Sequence, residues 1–358
     1  MTTALTRTTP PRVLFFLQGQ NVPSSRFRVA QFIPHFESHG IACTVRAPYP
    51  SLQGDVKARF FHGWRRQFTR PLSVGVRLSQ MKGIRNHDLV YLQRPLLSYY
   101  TTALEEVVCR LRPAIFDIDD AIFHNFFGWE RFKIKRIVKL CRHLVAGNQY
   151  LADFFEAPHK TTIIPTVVDA ERFVVRPEPP EDQPFTIVWT GLSSNLKELA
   201  PVLPGIKAAL DETRGRLVVV ADRLDEDVVR GLPVDFVKWS PETEVQALGR
   251  AHVGIMPLRD TPYNRGKCGF KLIQYMARGM CVVAAPVGAN VEIVRAHKDG
   301  LLANSSDDWA DALVSLARDR DMRHRMGQSG RERVEQRYSI KAVLPQFLDL
   351  FARFGAGA

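Results

Sequence analysis

A chain of 358 residues with 45% hydrophobic and 24% charged side chains has the composition of an ordinary globular protein, which excludes a fibrous or disordered polymer. Its length exceeds what one hydrophobic core serves, so two domains are expected. A formal net charge of +12 calls for an anionic partner, whether nucleic acid, lipid headgroups or a phosphorylated substrate, without choosing among them.

Near the N-terminus the apolar run Val13 to Leu17 gives way to Gln18, too short for a signal-peptide core or a membrane span. The cysteines Cys43, Cys109, Cys141, Cys268 and Cys281 contain no CxxC pair and fit reduced thiols in a cytoplasmic protein. In chain order, residues 12–18, 42–46, 88–93, 114–118, 143–146 and 161–164 read as strands with helical stretches between them, the pattern of βαβ units around a parallel sheet. Residues 176–184, dense in proline and acid, read as a linker. A second series follows at 185–190, 216–221, 235–239, 253–257 and 281–285. The expectation is an N-terminal doubly wound domain over 1–175 and a C-terminal one over 185–340. Residues 341–358 are expected to form a helix packing back on the first domain. Such sheets bind ligands at the carboxyl ends of their strands, so the loops there and a cleft between the domains are the expected site.

In the N-terminal half, Gln18-Gly19-Gln20-Asn21 lacks the GxGxxG of a dinucleotide enzyme. Gly19 lets a backbone approach a donor ligand, and Ser25 and Arg26 are candidates to reach an acceptor or a phosphate. Asp117, Asp119 and Asp120 end the fourth strand, where carboxylates are able to bind magnesium for phosphoryl transfer. Against that reading, the threonine expected two residues beyond a DxD phosphatase pair is missing, and the chain runs on into Phe123-His124-Asn125-Phe126-Phe127. The alternatives are that Asp119, Asp120 and His124 orient or polarise an acceptor hydroxyl, or that Asp120 caps a helix.

Two segments are basic and aromatic. Between Asp55 and Asp88 there is no acid, while Lys57, Arg59, Arg65, Arg66, Arg70, Arg77, Lys82 and Arg85 interleave with Phe60, Phe61, Trp64 and Phe68. Trp129, Phe132, Ile137 and Leu140 recur at near-helical spacing among Arg131, Lys133, Lys135, Arg136 and Lys139. Both suit peripheral contact with an anionic membrane, and both also suit core aromatics beneath a solvated basic face. No RNP, KH or zinc-finger spacing supports nucleic-acid binding.

In the C-terminal half, a strand runs into Gly191-Leu192-Ser193-Ser194-Asn195-Leu196-Lys197, where Gly191 permits a tight turn, Ser193 or Ser194 is placed to cap a helix, and free N–H groups would face an anion. Further on, a buried strand ends at Pro257, a polar loop carries Arg265, Gly266 and Lys267, and a helix from about Gly269 to Arg278 ends at Gly279. Lys267 then lies in the loop and Lys271 on the first turn. Cations are unwelcome at a helix N-terminus unless a bound anion reverses the penalty, as a diphosphate would.

The order of Ile164-Pro165-Thr166-Val167-Val168-Asp169, Thr190-Gly191 with Lys197, the run from Gly266 to Gly279, and Ala285-Pro286-Val287-Gly288-Ala289-Asn290 resembles the family 4 glycosyltransferases over nearly the whole chain. The resemblance implies the GT-B fold, an α/β architecture of two Rossmann-like doubly wound parallel-sheet domains facing a central cleft. It also implies a nucleotide-diphosphate sugar as donor, held by the C-terminal domain. The acceptor, a glycan or lipid-linked sugar, falls to the N-terminal one. Retention of configuration without a cofactor or metal is implied as well. Carried onto this chain, the donor contacts are Gly19, Gly191, Ser193, Lys197, Lys267, Cys268, Gly269, Phe270, Lys271 and Gln274. The acceptor side is Ser25, Arg26 and Asp119, and the catalytic candidates are Lys197, Lys267, Asp120 and His124.

Two departures matter. Many members carry two glutamates with seven residues between them, and here the positions are Gly266 and Gln274. An amide still hydrogen-bonds ribose hydroxyls but brings no charge. Lys197 matches the family's lysine, whereas Leu192 or a neighbour stands where an arginine is expected, which makes Lys267 the candidate for that role. The expected pathway is assembly of a surface polysaccharide at the inner membrane face. The competing reading is a nucleotide-binding scaffold without catalysis.

Overall fold

The computed structural model describes residues 11–19, 22–48, 74–97, 101–124, 128–175, 179–180 and 182–355. The chain divides into two compact units, one of residues 1–166 with 343–358 and the other of residues 167–342.

The first unit is a six-stranded sheet: β1 (Arg12–Phe16), β2 (Ala42–Arg46), β3 (Leu89–Gln93), β4 (Ala114–Ile118), β5 (His143–Ala146) and β6 (Thr161–Ile163). All pairs are parallel, in the order β2-β1-β3-β4-β5-β6. Every residue of β3, β4 and β5 is buried, as continuous apolar runs covered on both faces require. The crossovers include α1 (Pro23–Arg28), α2 (Ile33–Ser38), α3 (residues 74–80), α4 (Ala103–Leu111), α5 (Trp129–Leu140) and α6 (Gln149–Phe155). On one face Phe15, Phe32, Phe36 and Tyr91 meet Phe347 and Phe351, with ring centroids between 5.0 and 6.2 Å apart. Aromatic pairs at this separation add to the area they bury. On the other face lie Leu14, Phe16, Leu92, Phe116, Ile134 and Ile137.

The second unit repeats the plan with β7 (Thr186–Thr190), β8 (Arg216–Ala221), β9 (Val234–Lys238), β10 (Val253–Met256), β11 (Cys281–Ala284) and β12 (Gly300–Leu302), parallel in the order β12-β11-β10-β7-β8-β9. Its helices are α7 (Leu203–Thr213), α8 (Pro241–Leu248), α9 (Pro262–Arg265), α10 (Phe270–Ala277), α11 (Asn290–Ile293), α12 (Ser306–Arg318) and α13 (Arg320–Arg337). Helix α14 (Ile340–Gly355) supplies Phe347 and Phe351 to the first unit. The buried core of the second unit includes Trp189, Leu210, Ile255 and Trp309.

Strand β12 is an element that the sequence reading lacks: at three residues, Gly300–Leu302, it is too short for a periodicity signal. Strand order reverses between β1 and β3 in one sheet and between β7 and β10 in the other. A crevice at the carboxyl ends follows from that reversal, because the crossovers leave to opposite faces. In the second unit the two loops flanking it are those carrying Gly191 and Lys267.

Candidate functional site

In the second unit the loops after β7 and β10 bring cations together. Lys271, on the first turn of α10, places Nζ 4.0 Å above the centroid of the Trp189 ring. A Cβ at Gly191 would stand 2.5 Å from that Nζ, so only glycine leaves room for the ammonium at the end of β7. Burial first, then the positive charge of Lys267, lower the Lys271 pKa to about 7, with Glu198 opposing the shift. A cation held this way gains from any added anion.

The carboxylate that acts on both lysines is also held by other partners. Glu198, buried, accepts from the Arg259 backbone N–H at 3.0 Å, its Nη2 at 3.1 Å, and Asn264 Nδ2 at 2.9 Å. Burial alone would raise the Glu198 pKa, but the Arg259 hydrogen bonds and the charge of Lys267 outweigh it and hold the group below its ordinary value. Asp260 is likewise engaged with Arg265, at 2.6 and 2.8 Å. Lys267 lies 5.7 Å from the Tyr263 ring centroid, in the loop between α9 and α10.

Helix α10 is fixed by its own side chains. Tyr275 lies flat on β10 where Gly254 leaves space, and its hydroxyl accepts from the Thr190 N–H at 2.9 Å, which ties α10 to the end of β7. Gly269 precedes the helix at φ 63°, against Ile293 of α11, and half-buried Cys268 and Phe270 flank it. Gln274 follows Lys271 by three residues and is therefore on the same helix face. It is buried, and its Nε2 has no hydrogen-bond partner among the described residues. A buried amide left unpaired costs about 1–3 kcal/mol unless a ligand satisfies it.

Two expectations for this loop change. Ser193 caps no helix: the chain enters a 3-10 turn, Ser193–Glu198, from Leu192, and Asp222 at the end of β8 takes the Ser193 N–H at 2.7 Å and its hydroxyl at 3.2 Å. Lys197 is exposed on that turn. The cation that packs on Gly191 is Lys271, because a helix arriving from outside the loop presents its first turn there.

In the first unit the carboxyl ends of β3 and β4 are self-paired. Arg94, just beyond β3, donates Nε to Asp119 Oδ1 at 2.7 Å and Nη2 to Asp120 Oδ2 at 2.6 Å. Its backbone is left-handed, φ 66°, with the N–H donating to Asp117 O at 2.9 Å. Such a conformation in a non-glycine residue costs of order 1 kcal/mol and persists where its surroundings over-determine it. Burial would lower the Arg94 pKa, and the two carboxylates more than reverse that. The counter-charge of Asp119 and Asp120 is therefore a guanidinium, and the Asp120 side chain keeps 27% of its surface exposed. Below them, buried Arg28 forks onto Asp117 at 2.5 and 3.1 Å.

Other candidates are placed as follows. Ser25 has no exposed surface; it donates to Gln93 Oε1 at 3.0 Å and accepts from the Gln18 N–H at 3.2 Å, so it braces the β1 loop instead of meeting an acceptor. Arg26 is half-buried with its guanidinium 5.1 Å from the Phe27 ring centroid. Gly19 is buried just beyond β1. His124 bonds Tyr150 Oη at 3.0 Å, its pKa lowered by partial burial and then by Arg131.

Of the basic aromatic segments, residues 49–73 lie outside the described residues, and Lys57 to Arg70 with them. Arg77 is buried, donating to Leu96 O at 3.1 Å and to Leu17 O at 2.5 Å, so it belongs to the scaffold and not to a basic face. In α5, Ile137 is core and Lys133 buried, whereas Phe132 is 76% exposed beside exposed Arg131, Arg136 and Lys139. No helix among the described residues is long and apolar enough to cross a membrane.

Sequence reasoning missed Trp189, Glu198 with Arg259, and Arg94. The signal for Arg94 was its place just beyond the buried strand Leu89–Gln93, level with Asp119 and Asp120 beyond the next one.

Residues 184–319 match the sequence profile of the family described as Glycosyl transferases group 1. No protein of curated function matches the sequence. Among solved structures, HepE of Anabaena, in complex with UDP and glucose, is 14% identical with a TM-score of 0.71, covering 96% of this chain and all of its own. The sucrose-phosphate synthase of Thermosynechococcus elongatus is 16% identical, TM-score 0.72, over 98% of this chain and all of its own. The lipopolysaccharide outer core galactosyltransferase WaaB, in its apo form, is 12% identical, TM-score 0.66, over 96% of this chain and 99% of its own. The profile match in the second unit and the two-sheet architecture shared over nearly the whole chain support a glycosyltransferase of the GT-B fold.

Proposed function

We propose that the protein transfers a sugar, with retention of configuration as in family 4, from a nucleotide-diphosphate sugar to a glycan or lipid-linked acceptor. The observation that carries this reading is the Lys271 ammonium seated on Trp189 and Gly191 beside Lys267, with the adjacent Glu198 carboxylate already saturated by Arg259 and Asn264. Those lysines meet the diphosphate and stabilise the charge that develops as it leaves, which is the main catalytic device such a reaction needs. Lys197, exposed on the 3-10 turn after Gly191, is assigned a lesser part in holding the donor. No metal ion is needed in this scheme, since the lysines supply the counter-charge. The buried amide of Gln274 donates to a donor hydroxyl.

On the acceptor side, Asp120 accepts the hydrogen bond of the incoming hydroxyl, held in place by Arg94, and His124 lies beside it in sequence on the 3-10 turn Ile122–His124. The leaving phosphate takes the acceptor's proton, so no protein nucleophile is required. The exposed Phe132 among cations suits contact with an anionic membrane surface, consistent with a cytoplasmic enzyme of surface polysaccharide assembly acting on a lipid-linked acceptor.

The test is calorimetric titration with a panel of nucleotide-diphosphate sugars, beginning with UDP-glucose, followed by a hydrolysis and transfer assay on those that bind. Binding lost in Lys271→Met, with the fold intact, is the expected result. Tight binding without turnover on any acceptor would favour the scaffold reading motivated by Gln274, and no binding of any nucleotide sugar would overturn both.

A further inference from the structure

Away from the candidate site, Cys109 Sγ and Cys141 Sγ lie 3.8 Å apart. Cys109 is on the last turn of α4, half-buried, and Cys141 is the buried residue that ends α5. A disulfide requires about 2.05 Å between the sulfurs, so the two have to approach by somewhat under about 2 Å to bond. The two thiols share a hydrogen bond that lowers the Cys109 pKa and raises that of Cys141. Lys160, whose Nζ donates to the Cys141 carbonyl at 2.9 Å, adds a positive charge next to the pair. Cys109 is therefore the accessible nucleophile and Cys141 the resolving thiol behind it.

We propose that Cys109 and Cys141 form a reversible intramolecular disulfide with a low-molecular-weight disulfide as oxidant. The Cys109 thiolate attacks one sulfur of oxidised glutathione and expels a glutathione thiolate. Cys141 then loses its proton to solvent and attacks the Cys109 sulfur of the mixed disulfide, expelling the second glutathione thiolate. Two protein thiols are oxidised and one glutathione disulfide is reduced to two thiols, which balances the exchange.

The bond would join the two helices that hold the loop after β3. Glu105, one turn before Cys109, accepts from the Leu96 N–H at 2.9 Å, and Lys133 of α5 donates to Leu97 O at 2.5 Å. The site stands independently of the glycosyltransferase reading, and its test needs no substrate.

The full chain is incubated with oxidised glutathione, quenched with acid, alkylated and digested for mass spectrometry. The expected product is a linked pair of peptides holding Cys109 and Cys141, reversed by dithiothreitol. Titratable thiols in denaturant should fall from five to three as that pair is consumed. Cys141→Ser should stop at a glutathione adduct on Cys109, and Cys109→Ser should leave Cys141 at least about tenfold slower to react, because it is buried. A stable glutathione adduct on wild-type Cys109, a crosslink involving Cys43, Cys268 or Cys281, or no change in five thiols would overturn the proposal.

Discussion

Beyond β3 and β4 of the first unit three carboxylates among the described residues are matched to two guanidiniums: Arg94 between Asp119 and Asp120, Arg28 on Asp117. Beyond β7 and β10 of the second unit the arrangement differs, since Glu198 and Asp260 bond Arg259 and Arg265 while Lys271 is buried against Trp189, its charged form disfavoured by burial and by Lys267. Both clusters stand at the carboxyl ends of parallel strands, the second at the strand-order reversal between β7 and β10 and the first one strand beyond the reversal between β1 and β3. A matched cluster is stable by itself and offers a fixed, weakly charged edge suited to a neutral hydroxyl. A buried lysine whose charged form is disfavoured is stabilised by a ligand that brings negative charge.

The comparison breaks most readily at Lys271. Replacing it with Met should lower kcat/KM at least about 100-fold with the fold retained, measured by turnover and circular dichroism. Lys197→Ala should lose less than about tenfold, because an exposed ammonium is screened by water. Equal losses would mean that the excess charge was assigned to the wrong lysine.

Arg94→Ala strips the matched cluster of its cation and leaves two carboxylates facing each other. The expected cost is about 2–4 kcal/mol of stability in urea and tenfold or more in turnover. Arg94→Lys should recover more of the stability than of the turnover, since an ammonium keeps the charge without the fork that aligns both carboxylates. If Arg94→Ala binds magnesium and gains activity from it, the pairing has been masking a metal site.

Protonation sharpens the contrast. The Lys271 pKa falls from 10.5 to about 7 in the folded chain, so its penalty on stability is full below pH 7 and fades as pH rises toward the unfolded value. A bound diphosphate raises that pKa again. Binding of a nucleotide diphosphate between pH 7 and 9 should therefore take up as much as one proton, read by calorimetry in buffers of different ionisation enthalpy, and Lys271→Met should take up none. The smallest effect is expected at Phe132, on the surface of the matched unit. Phe132→Ser should weaken partition onto anionic vesicles by about tenfold, the scale of burying one aromatic side chain, while leaving turnover on a soluble acceptor unchanged.

Much of this architecture was legible in residue order alone. Strands β2, β4, β5 and β8 fall where apolar β-branched runs place them, and Lys267 and Lys271 sit in the loop and on the first turn as their spacing around Gly269 requires. Periodicity reports which segments are buried, and doubly wound sheets then dictate that the loops after them carry the site. Which side chains meet was not legible. Trp189 and Lys271 are 82 residues apart in sequence, as are Arg94 and the two aspartates by about 25, and only the parallel register of β7 with β10 and of β3 with β4 brings each set together. Ser25, a candidate from sequence to reach an acceptor or a phosphate, is fully buried, and Ile137 and Phe132 read alike on one helix yet face core and solvent. The sequence determined the elements, the repeat of the plan and the surplus of cations, because these follow from local pattern and composition. The pairing of charges, and so the difference between carboxylates forked by guanidiniums and a lysine buried on a tryptophan, was decided by tertiary structure, since it depends on distances between groups that the chain itself keeps far apart.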